Sequence, residues 1–112
     1  MDRRRTKIIA LNDQLRTTFS GGHVQTAPGI FDLDSRLRGR ALCVMSRWNK
    51  FDRASEHDRG AFVFGGYTFE WQIEYRGRDG RGTSPDPADP DQTLRILTLT
   101  ATDDMLVRRF RR

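Results

Sequence analysis

AFVFGGYTFEWQIEYR, residues 61–76, is the stretch whose reading decides the fold. Tyr67, Phe69, Trp71, Ile73 and Tyr75 alternate with Thr68, Glu70, Gln72 and Glu74. Side chains along a strand point to opposite faces in turn, so this segment is predicted to carry one apolar, aromatic face and one polar face. Gly65-Gly66 separates it from AFVF and supplies the left-handed backbone that a two-residue hairpin turn requires. The prediction is a β-hairpin with one face in need of cover.

Cover is found upstream. Leu37, Ala41, Val44, Met45 and Trp48 recur at helical spacing, which predicts a helix over 33–49 with Asp32 or Asp34 accepting its free N–H groups. Ile8, Leu11, Leu15 and Phe19 predict an earlier helix over 3–19, ended by Gly21 and Gly22. HVQTA (23–27) lies between them as a short strand around Val24, closed by Pro28 and Gly29. Downstream, TLRILTLTA (93–101) is the last strand. Leu94, Ile96, Leu97 and Leu99 break strict alternation there, as in a central strand covered on both faces, and leave its register open. The fold class expected is α+β: a small antiparallel sheet of about four strands, packed on one face by two helices, in the order αβαβββ. At 112 residues the chain is one domain, 1–112.

Charge is uneven along the chain. The net charge of +5 comes from the ends: residues 1–7 hold Arg3, Arg4, Arg5 and Lys7 against Asp2, and residues 105–112 hold Arg108, Arg109, Arg111 and Arg112. The body between them is weakly acidic. Such ends serve either as phosphate-contacting arms or as disordered, solubilising tails. Mean hydropathy is −0.72, and no apolar run approaches the roughly 18 residues of a membrane span. The single Cys43 excludes an internal disulfide and a cysteine-based zinc site. No apolar core of signal-peptide length precedes Asn12 and Asp13, so a cytoplasmic setting is expected.

TSPDPADPDQT (83–93) joins the last two strands with three prolines and three aspartates. Prolines at alternate positions, with no bidentate glutamate following, do not match a calcium loop. Asp89-Pro90-Asp91-Gln92 has a helix-start arrangement, with aspartate capping, proline at the first position and glutamine reaching back. The loop is read as a stiff connection, with no metal and no cofactor implied.

Two constellations bear on chemistry. Glu56-His57-Asp58 places a general acid/base candidate between carboxylates. With Glu70 or Glu74 from the polar face of the sheet, and Arg95 if its strand lies alongside, it could form a hydrolase or nuclease site. The alternative is an ion-pair network in which His57 holds down the proline loop. The second constellation is cationic: Arg3, Arg4 and Arg5; Arg36, Arg40, Arg47 and Lys50 in one stripe of the second helix, with Cys43 among them; Arg76, Arg78 and Arg81 in the tip RGRDGRG; and Arg108, Arg109, Arg111 and Arg112. Gathered on one surface, these would hold phosphates with little sequence preference.

EHDRGAF (56–62), WQIEY (71–75) and SPDPADP (84–90) followed by TLRILTL, with ALNDQLR (10–16) and GGHVQTAPGI (21–30) before them, resemble the uncharacterised bacterial family known as domain of unknown function 3768. The resemblance implies an alphaproteobacterial accessory protein carried on plasmids and other mobile elements. It supplies no catalytic residues. The second helix and the Arg-Arg-Phe-Arg-Arg end are more basic than the family pattern. The function expected is a non-enzymatic binding protein that contacts nucleic acid, or an acidic protein that handles it, with a defence-countering role. The alternatives are a small hydrolase using His57, and an adaptor that dimerises through a sheet edge.

Overall fold

The computed structural model describes residues 2–27, 29–30 and 33–103, the last by its backbone. Six elements follow one another: α1 (Arg3–Thr18), β1 (His23–Thr26), α2 (Ser35–Ser46), β2 (Arg59–Phe64), β3 (Tyr67–Arg76) and β4 (Leu94–Asp103). The four strands form one sheet in the order β1-β4-β3-β2. This is the α+β architecture expected, in the expected order.

The hairpin forms for the reasons its residues suggest. Gly65 and Gly66 sit at φ 61° and 85°, both left-handed, as a type I′ turn requires. Phe62 faces Phe69 and Phe64 faces Tyr67 across the pair. Phe69, Trp71 and Ile73 are buried, while Glu70, Gln72 and Glu74 are exposed. Gly60 lies opposite Trp71, and a Cβ there would come within 2.5 Å of the indole Nε1. Only glycine leaves room for that ring.

One expectation is corrected. The sheet is mixed, not antiparallel: β1 runs parallel to β4, with His23 opposite Ile96 and Thr26 opposite Leu99. A tight turn forces β2 and β3 to be antiparallel, but no hairpin ties β1 to β4, so nothing local sets its direction. β4 is an inner strand as expected, yet its helix-facing and outward residues do alternate. Arg95, Leu97 and Leu99 are buried under the helices, while Leu94, Ile96 and Thr98 are half-buried on the other face. Both helices lie on one side, so β4 is not covered on both.

The core joins Leu15, Ile30, Leu33, Ala41 and Met45 to Phe62, Phe69, Trp71, Ile73, Leu97 and Leu99. Trp48 reaches Phe62, ring centroids 6.0 Å apart. α2 is capped by Asp34, whose carboxylate accepts from Arg36 N at 2.7 Å; Asp32 lies outside the described residues. α1 is capped by Asp2, so the basic segment 3–7 is the start of a helix. The tail 105–112 lies outside the described residues. Phe19, expected on the buried face of α1, instead takes φ 58° as its left-handed C-cap and is exposed. The buried face of α1 is Ile8, Asn12, Leu15 and Arg16, two apolar and two polar residues.

Candidate functional site

Those two polar residues of α1 organise the interior. Asn12 has no exposed surface. Its Nδ2 donates to the Tyr75 hydroxyl at 2.7 Å and to the Glu56 carbonyl at 3.0 Å, and its Oδ1 accepts from Arg95 Nε at 2.9 Å. Arg95 is 2% exposed. It also donates through Nη2 to the carbonyl of Pro87 and lies over the Tyr75 ring at 5.2 Å. One guanidinium therefore ties β4 to α1, to β3 and to the proline loop. Among the described residues no carboxylate pairs with it directly. Burial pulls its pKa below the ordinary value, with the Tyr75 and Glu56 charges acting the other way. Burial likewise pushes the Tyr75 phenol up to about 12, against the opposing hydrogen bond from Asn12.

A second cluster sits one helical position along. Asp13 Oδ1 accepts from Arg16 Nη1 and from His57 Nδ1, each at 2.9 Å. A carboxylate oxygen only accepts, so this bond needs the proton on Nδ1. The His57 ring stacks on Phe51 at 3.9 Å and 11°, and Arg16 lies over the same Phe51 ring at 4.8 Å and over Trp71 at 5.6 Å. His57 has φ 59°, and its N–H donates to Ser55 Oγ at 2.9 Å.

The expected acid/base cluster does not assemble. Glu56 accepts from the Tyr75 hydroxyl at 3.3 Å, and Asp58 lies 3.7 Å from Arg59. Glu70 opens on the far side of the sheet with Gln72 and Glu74. Arg95 lies on the helix side, not beside those glutamates, because its position is in phase with Leu97 and Leu99. Nor does His57 hold the proline loop, since Arg95 does so. Within that loop Asp86 and Asp89 each cap a turn: Asp86 Oδ1 accepts from Ala88 N at 3.1 Å, and Asp89 Oδ1 from Asp91 N at 2.9 Å. The Gln92 amide donates to Asp89 Oδ2 at 2.7 Å and holds that carboxyl below its usual range. No group of three or more His, Cys, Asp and Glu side chains converges among the described residues.

The cationic residues are divided between bound and free. Arg4 pairs with Asp86 at 3.1 Å, Arg5 donates to the carbonyls of Arg53 and Ser55, Arg76 pairs with Glu74 at 2.8 Å, and Arg78 donates to the Pro90 and Asp91 carbonyls. Arg3 and Arg81 are exposed, and Arg108, Arg109, Arg111 and Arg112 lie outside the described residues. α2 differs. Arg36, Arg40, Cys43 and Arg47 are all exposed, and at ~100° per residue they fall within about 60° of one another around the helix. Lys50 follows, also exposed. Among the described residues no ion pair or hydrogen bond engages the side chains of Arg36, Arg40, Arg47 or Lys50. The stripe starts beside the β2–β3 turn, where Leu37 packs at Gly65. Arg76 ends β3 at the end of the sheet opposite the turn beside which the stripe starts.

The family model described as "protein of unknown function (DUF3768)" matches residues 26–104, which is most of the chain. The chain belongs to the DUF3768 family. The match takes in α2, the hairpin, the proline loop and β4, so the α2 stripe, His57, Tyr75 and Arg95 all fall inside the DUF3768 region. α1 and most of β1, with Asn12, Asp13 and Arg16, precede it. No curated protein and no solved structure matches the chain. Among the described residues no helix is long and apolar enough to cross a membrane.

Sequence reasoning passed over Asn12, Asp13, Arg16 and Tyr75 as members of a network. The signal was available: Asn12 and Arg16 share a helix face with Ile8 and Leu15, and polar residues in such positions must find partners when buried.

Proposed function

We propose that this DUF3768 protein is a non-enzymatic, cytoplasmic accessory protein that binds polyanions, nucleic-acid backbone foremost, through the solvent face of α2. The observation that carries this reading is the row Arg36, Arg40 and Arg47, exposed and unpaired on one flank of a helix. It spans about 17 Å at 1.5 Å per residue, enough to meet successive phosphates. The placement also runs against the helix's own stability. Arg36 stands in the first turn of α2, which contains no acid, and a cation there opposes the helix dipole by a few tenths of a kcal/mol, up to about 1. A cation placed against the dipole at this end fits a site kept for an external partner. The mobile-element setting implied by the family resemblance fits an accessory role of this kind.

The bonds of His57 favour packing over hydrolysis, since its ring is stacked on Phe51 and its Nδ1 is committed to an aspartate shared with Arg16.

The test is retention of a labelled random-sequence oligonucleotide by the full chain across a salt series, repeated with Arg36, Arg40 and Arg47 all changed to Gln. The expected result is a steep loss of binding with salt in the parent and a slope smaller by about three in the variant, with circular dichroism unchanged. Equal affinity and slope in the two proteins would remove the stripe from the function.

A further inference from the structure

The free edge of β2 points to a second copy of this chain as its partner. The direction of its backbone groups follows from one bond. Ile73 N donates to Asp58 O at 2.7 Å, and in the β2–β3 register residue 58 falls opposite residue 73. Asp58 and Ile73 are therefore a hydrogen-bonded pair, and so in alternation are Gly60 with Trp71, Phe62 with Phe69, and Phe64 with Tyr67. The N–H and C=O groups of Arg59, Ala61 and Val63 then point away from β3, where no described strand lies.

Nothing on this edge blocks pairing. Exposed edge strands are ordinarily guarded by lysines, prolines, bulges or short length. β2 has six residues, RGAFVF, with no proline and a single charge at its first position. Its register with β3 skips no residue, so there is no bulge. Val63 is 69% exposed, the most exposed large apolar side chain among the described residues. The opposite edge, β1, is protected by its length of four residues.

We infer that two chains pair β2 to β2 in antiparallel fashion about a two-fold axis at Ala61, extending the sheet from four strands to eight. The two-fold must stand perpendicular to the sheet, so facing residues have equal parity. Centring on Ala61 is the register that engages all three outward-facing residues. Ala61 meets the partner's Ala61, and Arg59 meets the partner's Val63, with about six interchain hydrogen bonds. The small Ala61 methyls meet on the axis, and the Arg59 stem lies against the exposed valine. Such an axis keeps both helix layers on the same side. α2 lies over β2, through Trp48 on Phe62 and Leu37 at Gly65, so the two α2 helices become neighbours. The dimer stands independently of polyanion binding.

The experiment is sedimentation equilibrium on the full chain from micromolar to millimolar concentration, with three variants. Parent protein is expected to be a dimer. Val63→Lys restores an edge guard and is expected to weaken association at least tenfold. Ala61→Pro removes an outward N–H that β3 does not use, and is expected to do the same with circular dichroism unchanged. Thr100→Lys, on the open sheet face away from the edge, is expected to leave the dimer intact. If one edge variant fails to fold, the other decides. A parent that stays monomeric overturns the proposal, whether or not some other extended segment takes the edge. Edge variants that associate as tightly as the parent, or a dimer lost only in Thr100→Lys, overturn it equally.

Discussion

Arg95 is the residue on which most of the interior polar structure converges. Its guanidinium joins Asn12 on α1, the Pro87 carbonyl and the Tyr75 ring. Truncation leaves a buried amide oxygen and a half-buried carbonyl without donors, together with a cavity. Arg95→Ala is expected to cost about 3 kcal/mol or more in denaturant unfolding. Tyr75 makes a different statement. Its phenol is held at about 12 in the folded chain against 10.0 in the reference state, so the folded form retains the proton more tightly than the unfolded form. The resulting stabilisation is whole below pH 10 and drains away as pH rises from 10 towards about 12. Unfolding curves across that window are expected to converge on those of Tyr75→Phe, which has no phenol to ionise. Neither role was legible residue by residue. Arg95 lies in a strand whose leucines and isoleucine permit either phase, and only the packing of α1 against β4 shows that the arginine shares its face with Leu97 and Leu99.

At the scale of elements, the hairpin and both helices were legible because their information is local. Alternation from Tyr67 to Tyr75, two glycines with left-handed backbone, and helical spacing from Leu37 to Met45 all act within a few residues. In the proline loop the turn capped by Asp89 was legible for the same reason, and the one at Asp86 was not. Asp-Pro repeated at 86–87 and 89–90 makes two successive capped turns, and its rigidity is partly covalent. Pro90→Ala is expected to lose about 0.4–1 kcal/mol through the greater freedom of the unfolded chain, read as a lower denaturation midpoint with an unchanged slope. The direction of β1 was not legible. Its four residues are linked to the sheet only through long connections, and both orientations satisfy its single inward valine.

For the whole molecule, the question is where the positive charge ends up. The arginines of α1 and of the 76–82 tip are largely drawn inward, towards Asp86, Glu74 and backbone carbonyls, while Arg36, Arg40 and Arg47 along α2 stay exposed. Salt-sensitive binding through that stripe, and pairing through β2, are properties of the assembled surface, each carrying its own test. By itself the sequence determined the α+β class, the order of elements, the hairpin, the turn capped by Asp89 and the cationic stripe of α2, because periodicity and turn chemistry are short-range. Only the tertiary structure decided the parallel seating of β1, the burial of Asn12, Arg16 and Arg95, the separation of Glu70 from His57, and which arginines stay free. Those depend on which distant surfaces meet, and a buried polar group is recognisable only once its partners have been brought to it.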